Sequence, residues 1–341
     1  MEFLDNLYKK AKEGKKKIIF PEGEEIRVLE AIEEIVEKDI ARPVLIGNPK
    51  KILSLSKNLS MDLASIDIID IANLKDLDKY IELYCEIRKH KSIKKEEARK
   101  IITQNPVFYA ALAVRRGDVD GFVAGSSTTT RDVAKAAIYC IGPSEDTPTI
   151  SSSTILILPD KTLGSNGVFI YADAGIIPDP TSEQLMDIAI ASVKMARLVL
   201  DDEPKVAMLS YSTKGSGGSG DSIKKVQEAT RLIIEKCPDL LIDGEIQIDC
   251  AVVPEVAKRK DPSSKIKGRA NIFIFPNLDA GNISYKLTER LGKAYAIGPI
   301  LQGLNKPASD LSRGCNSKDI VNACTVVALM AQDATHLANR P

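Results

Sequence analysis

In "DLSRGCNSKDIV", Asp310 to Val321, a hydroxyl, a guanidinium, a thiol and two carboxylates fall within one short stretch. The planar fork of an arginine matches the oxygens of a phosphate. Ser312 and Arg313 also precede a helix start, where backbone N–H groups favour anions. Asn316 or Ser317 reads as the N-cap of a helix running through "IVNACTVVALMAQ". Asp319 can then be a capping-box partner or a titratable group of a site. The residue types point to phosphate chemistry, and the spacing does not name a reaction.

Three further stretches are polar enough to join such a site. "GSSTTTRD", Gly125 to Asp132, follows a strand and precedes a helix. Its Ser126, Ser127, Thr128 and Thr129 offer hydroxyls and amides to an anion; alternatively Thr129 or Thr130 simply caps the helix. "STKGSGGSGDS", Ser212 to Ser222, offers flexible backbone and the charge of Lys214, or is a mobile surface loop. It lacks the closing GK[ST] of a P-loop and the spacing of GxGxxG. In "FPNLDAGNISYKLTERL", Asn282, Lys286 and Arg290 recur at i, i+4 and i+8 on one helix face, a pattern that solvent alone explains. Histidine occurs only at His90 and His336, with no GxSxG elbow, so a Ser-His-Asp hydrolase is a poor fit. No HExxH and no Cys/His ligand cluster suggests zinc.

These stretches need a frame that brings loops together, and the sequence supplies one. "KIIF", "PVLIG", "DGFVAG", "KVAMLSYS" and "NIFIFPN" are short apolar runs of the buried-strand type. Helical stretches alternate with them at residues 24–38, 131–141, 221–236 and 279–292. That alternation predicts an α/β fold with mainly parallel strands, whose ligands lie beyond the strands' carboxyl ends. "TILILPD" and "GVFIYADAG" lack a helix between them and predict an antiparallel hairpin.

The 341 residues exceed one average domain. Lys+Arg and Asp+Glu both number 47, which argues against a polyanion partner such as nucleic acid. The first residues lack an apolar signal core and suit an amphipathic helix, and no stretch is long enough to span a bilayer. The six cysteines show no CxxC, so reduced thiols in a cytoplasmic protein are expected.

In this order, "FPEGEEIRVLEA", "IRKHKS", "GDVDGFVAGSSTTTRDV", "LSYSTKGS", "DGEIQIDCA", "ANIFIFPNLDAGNISYKLTERLG" and "GPILQGLNKPASDLSRGC" resemble the phosphate acetyltransferase family. The resemblance runs from about Phe20 to Val327 and is to the short, catalytic-domain-only form. It implies two doubly wound α/β domains with the active site in the cleft between them, and a homodimer. Residues 1–147 with 303–341 would form a discontinuous first domain, and 148–302 the second. The implied reaction is reversible: acetyl phosphate and coenzyme A give acetyl-CoA and phosphate.

By motif, the resemblance assigns Ser312 and Arg313 to catalysis and acetyl phosphate binding. Asp319 falls on the proposed base for the thiol of coenzyme A, and Arg88 and Arg290 on substrate-binding arginines. Lys135 stands where the family has another arginine, which keeps the charge and loses the fork. Coenzyme A would be a substrate, with no metal or tightly bound cofactor. A free thiol has a pKa of ~8.5, so a base beside it raises the reactive thiolate fraction. Asp319 makes an awkward base, because a helix N-terminus and Arg313 both favour its charge. A phosphate butyryltransferase is the nearest rival. A metal-dependent decarboxylating dehydrogenase of related fold would need a magnesium-binding aspartate set, for which Asp243 and Asp249 are too few. A non-enzymatic binder of coenzyme A or phosphate would bind without turnover.

Overall fold

A computed structural model describes residues 2–59 and 61–338, with the side chains of Asn58 and of residues 335–338, His336 among them, outside the described residues. The elements begin with α1 (Glu2–Gly14), β1 (Lys17–Phe20), α2 (Ile26–Glu37), β2 (Arg42–Ile46), α3 (Pro49–Asn58) and β3 (Asp67–Ile69). Helices α4 (Leu77–Ile87), α5 (Lys95–Gln104) and α6 (Pro106–Arg116) lead to β4 (Gly121–Ala124) and α7 (Thr130–Ala136). Then come β5 (Ser151–Ile157), β6 (Val168–Ala172), α8 (Ser182–Val199), β7 (Lys205–Leu209), α9 (Asp221–Lys236) and β8 (Leu241–Ile246). The chain closes through α10 (Ile248–Val252), α11 (Pro254–Lys260), β9 (Ile272–Ile274), α12 (Leu278–Arg290), β10 (Tyr295–Gln302), β11 (Ala308–Asp310) and α13 (Ser317–Ala338). The expected helix over 131–141 is α7 followed by a π turn, Ala137–Ile141.

The chain forms two compact units, Met1–Ser144 with Leu304–Pro341, and Glu145–Gly303. In the first, the strand order is β3-β2-β1-β4-β11 and all pairs are parallel. Ile18, Ile19 and Phe20 of β1 are at most 1% exposed, as a parallel strand covered on both faces requires. Burying side chains of this size contributes roughly 1.5–3 kcal/mol each. Helix α13 packs on β4 and β11, and its residues Ile320, Val321, Val326 and Val327 are buried. Gly121 permits that approach: a Cβ there would lie 2.6 Å from Val327 Cγ1.

In the second unit the order is β10-β5-β6-β9-β7-β8. Strands β6, β9, β7 and β8 pair in parallel, and β5 and β6 form the expected antiparallel hairpin. Strand β10 also lies antiparallel to β5, which the sequence does not foretell. Its register slips between Ile297 and Ile300, where Gly298-Pro299 interrupts the apolar pattern and proline removes a donor.

Candidate active site

In the first unit the chain register does the assembling. Strand β1 runs beside β4, and β11 beside β4 with Asp310 opposite Ala124. Three parallel strands therefore end side by side and deliver Glu22, the 125–129 loop and the 310–316 loop to one edge. Gly125 lets two of these loops touch. Its φ is +113°, and a Cβ there would lie 2.4 Å from the Leu311 carbonyl oxygen and 2.8 Å from Asp310 Oδ1.

The amides of the 125–128 loop do hold an anion, and it is the chain's own Glu22. One carboxylate oxygen, Oε2, accepts from the N–H groups of Gly125 (3.0 Å) and Ser126 (2.8 Å) and from Ser126 Oγ (2.5 Å). The other, Oε1, accepts from Ser127 N (2.9 Å), Ser127 Oγ (3.0 Å) and Thr128 N (2.7 Å). Burial opposes ionisation of Glu22, but the bonds from Ser126, Ser127 and Thr128 outweigh it and hold the carboxyl below its ordinary range. Thr129 caps α7: its Oγ1 accepts from Asp132 N at 3.2 Å and donates to Asp132 Oδ2 at 2.8 Å.

The 312–316 loop is tied to the same edge by Arg27, from the first turn of α2. Arg27 Nη1 donates to the carbonyls of Arg313 (2.9 Å) and Cys315 (2.7 Å), and Nη2 to that of Ser126 (2.9 Å). Its Nε bonds Glu25 at 2.9 Å. The side chains of Ser312 and Arg313 stay exposed at the loop tip. Asn316 is the N-cap of α13: Asn316 Oδ1 accepts from Asp319 N at 3.0 Å, and Asp319 Oδ2 accepts from Asn316 N at 2.9 Å. This reciprocal pair is the capping arrangement that the sequence left open beside a catalytic role.

At the β11 end, Asp310 and Cys315 both have raised pKa values. Burial pushes the Asp310 carboxyl up to about 7; a bond from Thr130 works against the shift and the charge of Glu22 adds to it. Asp310 is 2% exposed, and its Oδ1 is buried without a hydrogen-bond partner. Burial likewise pushes the Cys315 thiol up to about 11, against the opposing charge of Arg27. A thiol held that high is almost wholly protonated near neutral pH, and so a poor nucleophile.

Arg88 ends α4, with its guanidinium carbon 3.9 Å from the centroid of the Tyr139 ring. Tyr139 lies four residues after Lys135, so the structure brings Arg88 to the helical segment that carries Lys135. A cavity of about 390 Å³ opens beside Glu22 and Thr128. Glu22, Glu24 and Glu25 line it, which makes it a poor seat for a phosphoryl group.

The remaining sequence candidates belong to the second unit. Lys214, expected to offer its charge to a ligand, lies near Asp243 Oδ1 (3.6 Å) and Asp261 Oδ2 (3.7 Å) and bonds the Gly244 carbonyl at 3.1 Å. On α12, Asn282 donates to the Ala174 carbonyl at 3.0 Å, while Lys286 and Arg290 are exposed. Beside that row Ile283, Leu287 and Leu291 are 56%, 52% and 77% exposed. Sequence reasoning passed over Glu22, Arg27 and any separate role for Asp310. A signal for the first two was present: "FPEGEEIR" places carboxylates and an arginine just past a buried strand, where sites of open parallel sheets lie.

A family model described as phosphate acetyl/butaryl transferase matches residues 2–329. A phosphate acetyltransferase of Acetivibrio thermocellus is 44% identical over 332 residues, covering 97% of this chain and 99% of the relative. Among solved structures, a phosphotransacetylase from Streptococcus pyogenes aligns at a TM-score of 0.91 with 36% identity, covering 98% of each chain. One from Staphylococcus aureus aligns at 0.87 with 37% identity, covering 97% of this chain and 98% of its own. Likeness in sequence and in fold thus runs the length of the chain and takes in both loops at the strand ends, so the chain belongs to the phosphate acetyl/butaryl transferase family.

Proposed function

We propose that the chain transfers an acetyl group reversibly between acetyl phosphate and coenzyme A. The observation that carries this reading is the loop tip at β11: Ser312 and Arg313 are exposed there on a backbone anchored by Arg27. Arg313 grips the phosphate of acetyl phosphate with its fork. Asp319 takes the thiol proton of coenzyme A, and the sulfur attacks the carbonyl carbon. Ser312 donates to the carbonyl oxygen as charge develops there. The bond from carbon to the bridging oxygen then breaks, and phosphate leaves. Arg88, Lys135 and Arg290 supply charge for the substrates' phosphates, and Asn282 and Lys286 belong to the same substrate-binding set. Neither a metal nor a bound cofactor takes part, because thiol, acyl group and leaving group are all supplied by the substrates.

The reading extends to a cytoplasmic homodimer. The row of Ile283, Leu287 and Leu291, along α12 and at its C-cap, is an exposed apolar stripe suited to a second copy. All six cysteines are unpaired, which suits a reducing compartment. Among the described residues no helix is long and apolar enough to cross a membrane.

The test is an assay of acetyl-CoA formation from acetyl phosphate and coenzyme A, with butyryl phosphate run alongside. Turnover of acetyl phosphate without added metal or NAD is expected. A clear preference for butyryl phosphate transfers the assignment to the longer acyl group. Activity abolished by a chelator and restored by magnesium counts against the mechanism.

A further inference from the structure

We infer that Glu22 and Arg27 are positioning residues, a carboxylate and a guanidinium five positions apart that lock the 125–128 and 312–315 loops together and aim Arg313 before substrate arrives. The inference rests on the proposed acetyl transfer, because it takes Arg313 to be the phosphate-binding group. Its evidence is independent of that reading. Glu22 accepts six hydrogen bonds from four consecutive residues that lie about one hundred positions away, and neither oxygen is left to compete for a cation. Arg27 reaches across 286 and 288 positions to the Arg313 and Cys315 carbonyls and across 99 to that of Ser126.

The chemistry of each group suits this task and no simpler one. A carboxylate is acceptor-only, so it can satisfy a row of N–H donors that a glutamine would meet on one side with its own N–H₂. A guanidinium presents donors in a fixed plane and so serves three carbonyls from three directions; a lysine ammonium on a flexible stem does not fix them in one geometry. Arg27 bonds loop backbone, and Glu22 bonds loop backbone and two loop hydroxyls, so they set where the loops sit. The Ser312 and Arg313 side chains remain available. The ionic frame therefore holds the site's shape without occupying it, and the amides of 125–128 are structural donors rather than a landing place for phosphate.

The experiment uses the full chain with Glu22→Gln, Arg27→Lys, Arg313→Ala and the double variant Arg27→Lys/Arg313→Ala. Arg27→Lys and Glu22→Gln should each lower kcat/KM for acetyl phosphate about tenfold, as misplaced binding groups do, with folds intact by thermal melt. In the Arg313→Ala background Arg27→Lys should cost less than about twofold, because the side chain that Arg27 aims is gone. The same factor in both backgrounds overturns the inference, as does a lowered melting temperature with unchanged kinetics. Affinity for inorganic phosphate, measured by calorimetry, needs no turnover. It should weaken about tenfold in Arg27→Lys. Unchanged phosphate affinity in both single variants sinks the positioning role. A wild-type chain that binds phosphate without turnover sinks only the proposed reaction. Should Arg27→Lys fail to fold, the isosteric Glu22→Gln carries both readouts.

Discussion

Two strand-to-helix loops look alike on paper, "GSSTTT" after β4 and "STKGSGGSG" after β7, and each is seated on a glutamate. Glu22 takes all four amides from Gly125 to Thr128. Glu245, 2% exposed, takes Ser212 Oγ at 2.8 Å, one amide at Gly215 (2.6 Å) and Gln227 Nε2 at 2.9 Å. Past Gly215 the second loop is exposed as far as the start of α9. Their cations differ too. Arg27 binds backbone beside the first loop, so Arg313 can face outward, whereas Lys214 of the second loop is drawn onto two buried carboxylates. Hydroxyl and glycine content do not distinguish the two loops. What separates them is where distant charged side chains come to rest, and that is set by strand order.

The sharpest way to test this contrast is to ask whether damage near the first loop is read in rate and damage in the second in stability. Asp319→Asn should lower kcat about 100-fold, within the range for loss of a general base, with KM values little changed. Asparagine keeps an acceptor for the Asn316 amide, so the cap survives and the melting temperature should move little. Steady-state kinetics beside a thermal melt check both. Near-normal kcat with a lowered melting temperature makes Asp319 a cap alone and leaves the base unassigned.

Lys214→Met should do the reverse. Asp243 and Asp261, 6% and 5% exposed, would each lose a counter-ion in a buried setting. The expected loss is about 1–3 kcal/mol of stability, several degrees of melting temperature, with kcat and KM near normal. A rise in KM for coenzyme A at an unchanged melting temperature would place Lys214 on the substrate side and collapse the contrast between the loops.

Much of this frame was legible in the sequence because burial leaves a strong mark. "KIIF", "DGFVAG" and "KVAML" are apolar without alternation, and β1, β4 and β7 lie there. Helix α9 runs from Asp221 to Lys236, the bounds that its polar flanks suggest. The antiparallel seat of β10 was hidden, since Gly298-Pro299 erases the strand pattern and only a long-range partner, β5, restores it. The candidate site divides the same way. Ser312 and Arg313 announce themselves by residue type and by place before a helix. Glu22 and Arg27 carry a weaker mark, their place just past a buried strand, because an acid and an arginine near a helix start are commonplace and gain their meaning from partners about a hundred or more residues away.

A smaller effect distinguishes the buried charge of the first unit from its anchored one. The Asp310 carboxyl stands at about 7 in the folded chain against an ordinary 3.8. Between roughly pH 4 and 7 the folded chain thus holds a proton that the unfolded chain has lost, and stability attributable to Asp310 falls as pH rises through that window. The slope is at most about 1.4 kcal/mol per pH unit for one proton. Glu22 has the opposite sign: its lowered pKa adds stability above its ordinary range, which is lost as pH falls through the folded value. Asp310→Asn mimics the protonated acid, so denaturant midpoints for the variant should lose the Asp310 slope and exceed wild type above pH 7. Parallel curves for the two proteins across pH 4–8 would show that Asp310 ionises normally.

The smallest effect belongs to Cys315, the residue in "DLSRGC" that most invites a role as acyl carrier. It is 7% exposed, and its Sγ lies 3.9 Å from Arg27 Nη1, on the side of the loop that faces the anchor. A pKa of about 11 leaves roughly one thiolate in ten thousand at pH 7, so attack by this sulfur starts with a penalty of about four factors of ten. Coenzyme A brings its own exposed thiol, whose ordinary pKa of ~8.5 leaves a penalty of only about thirtyfold. Cys315→Ala removes one buried atom while the backbone carbonyl that Arg27 holds stays in place. Turnover should therefore stay within about threefold of wild type, with a stability loss of about 1 kcal/mol for the small cavity. Alkylation by iodoacetamide at pH 7.5 should be slow, and coenzyme A should not alter its rate at this position. A trapped acetyl-cysteine, or near-total loss of turnover in a variant that melts normally, would make Cys315 a nucleophile. The reaction would then pass through two half-reactions at one loop, and the 312–315 segment would be chemical on both of its faces.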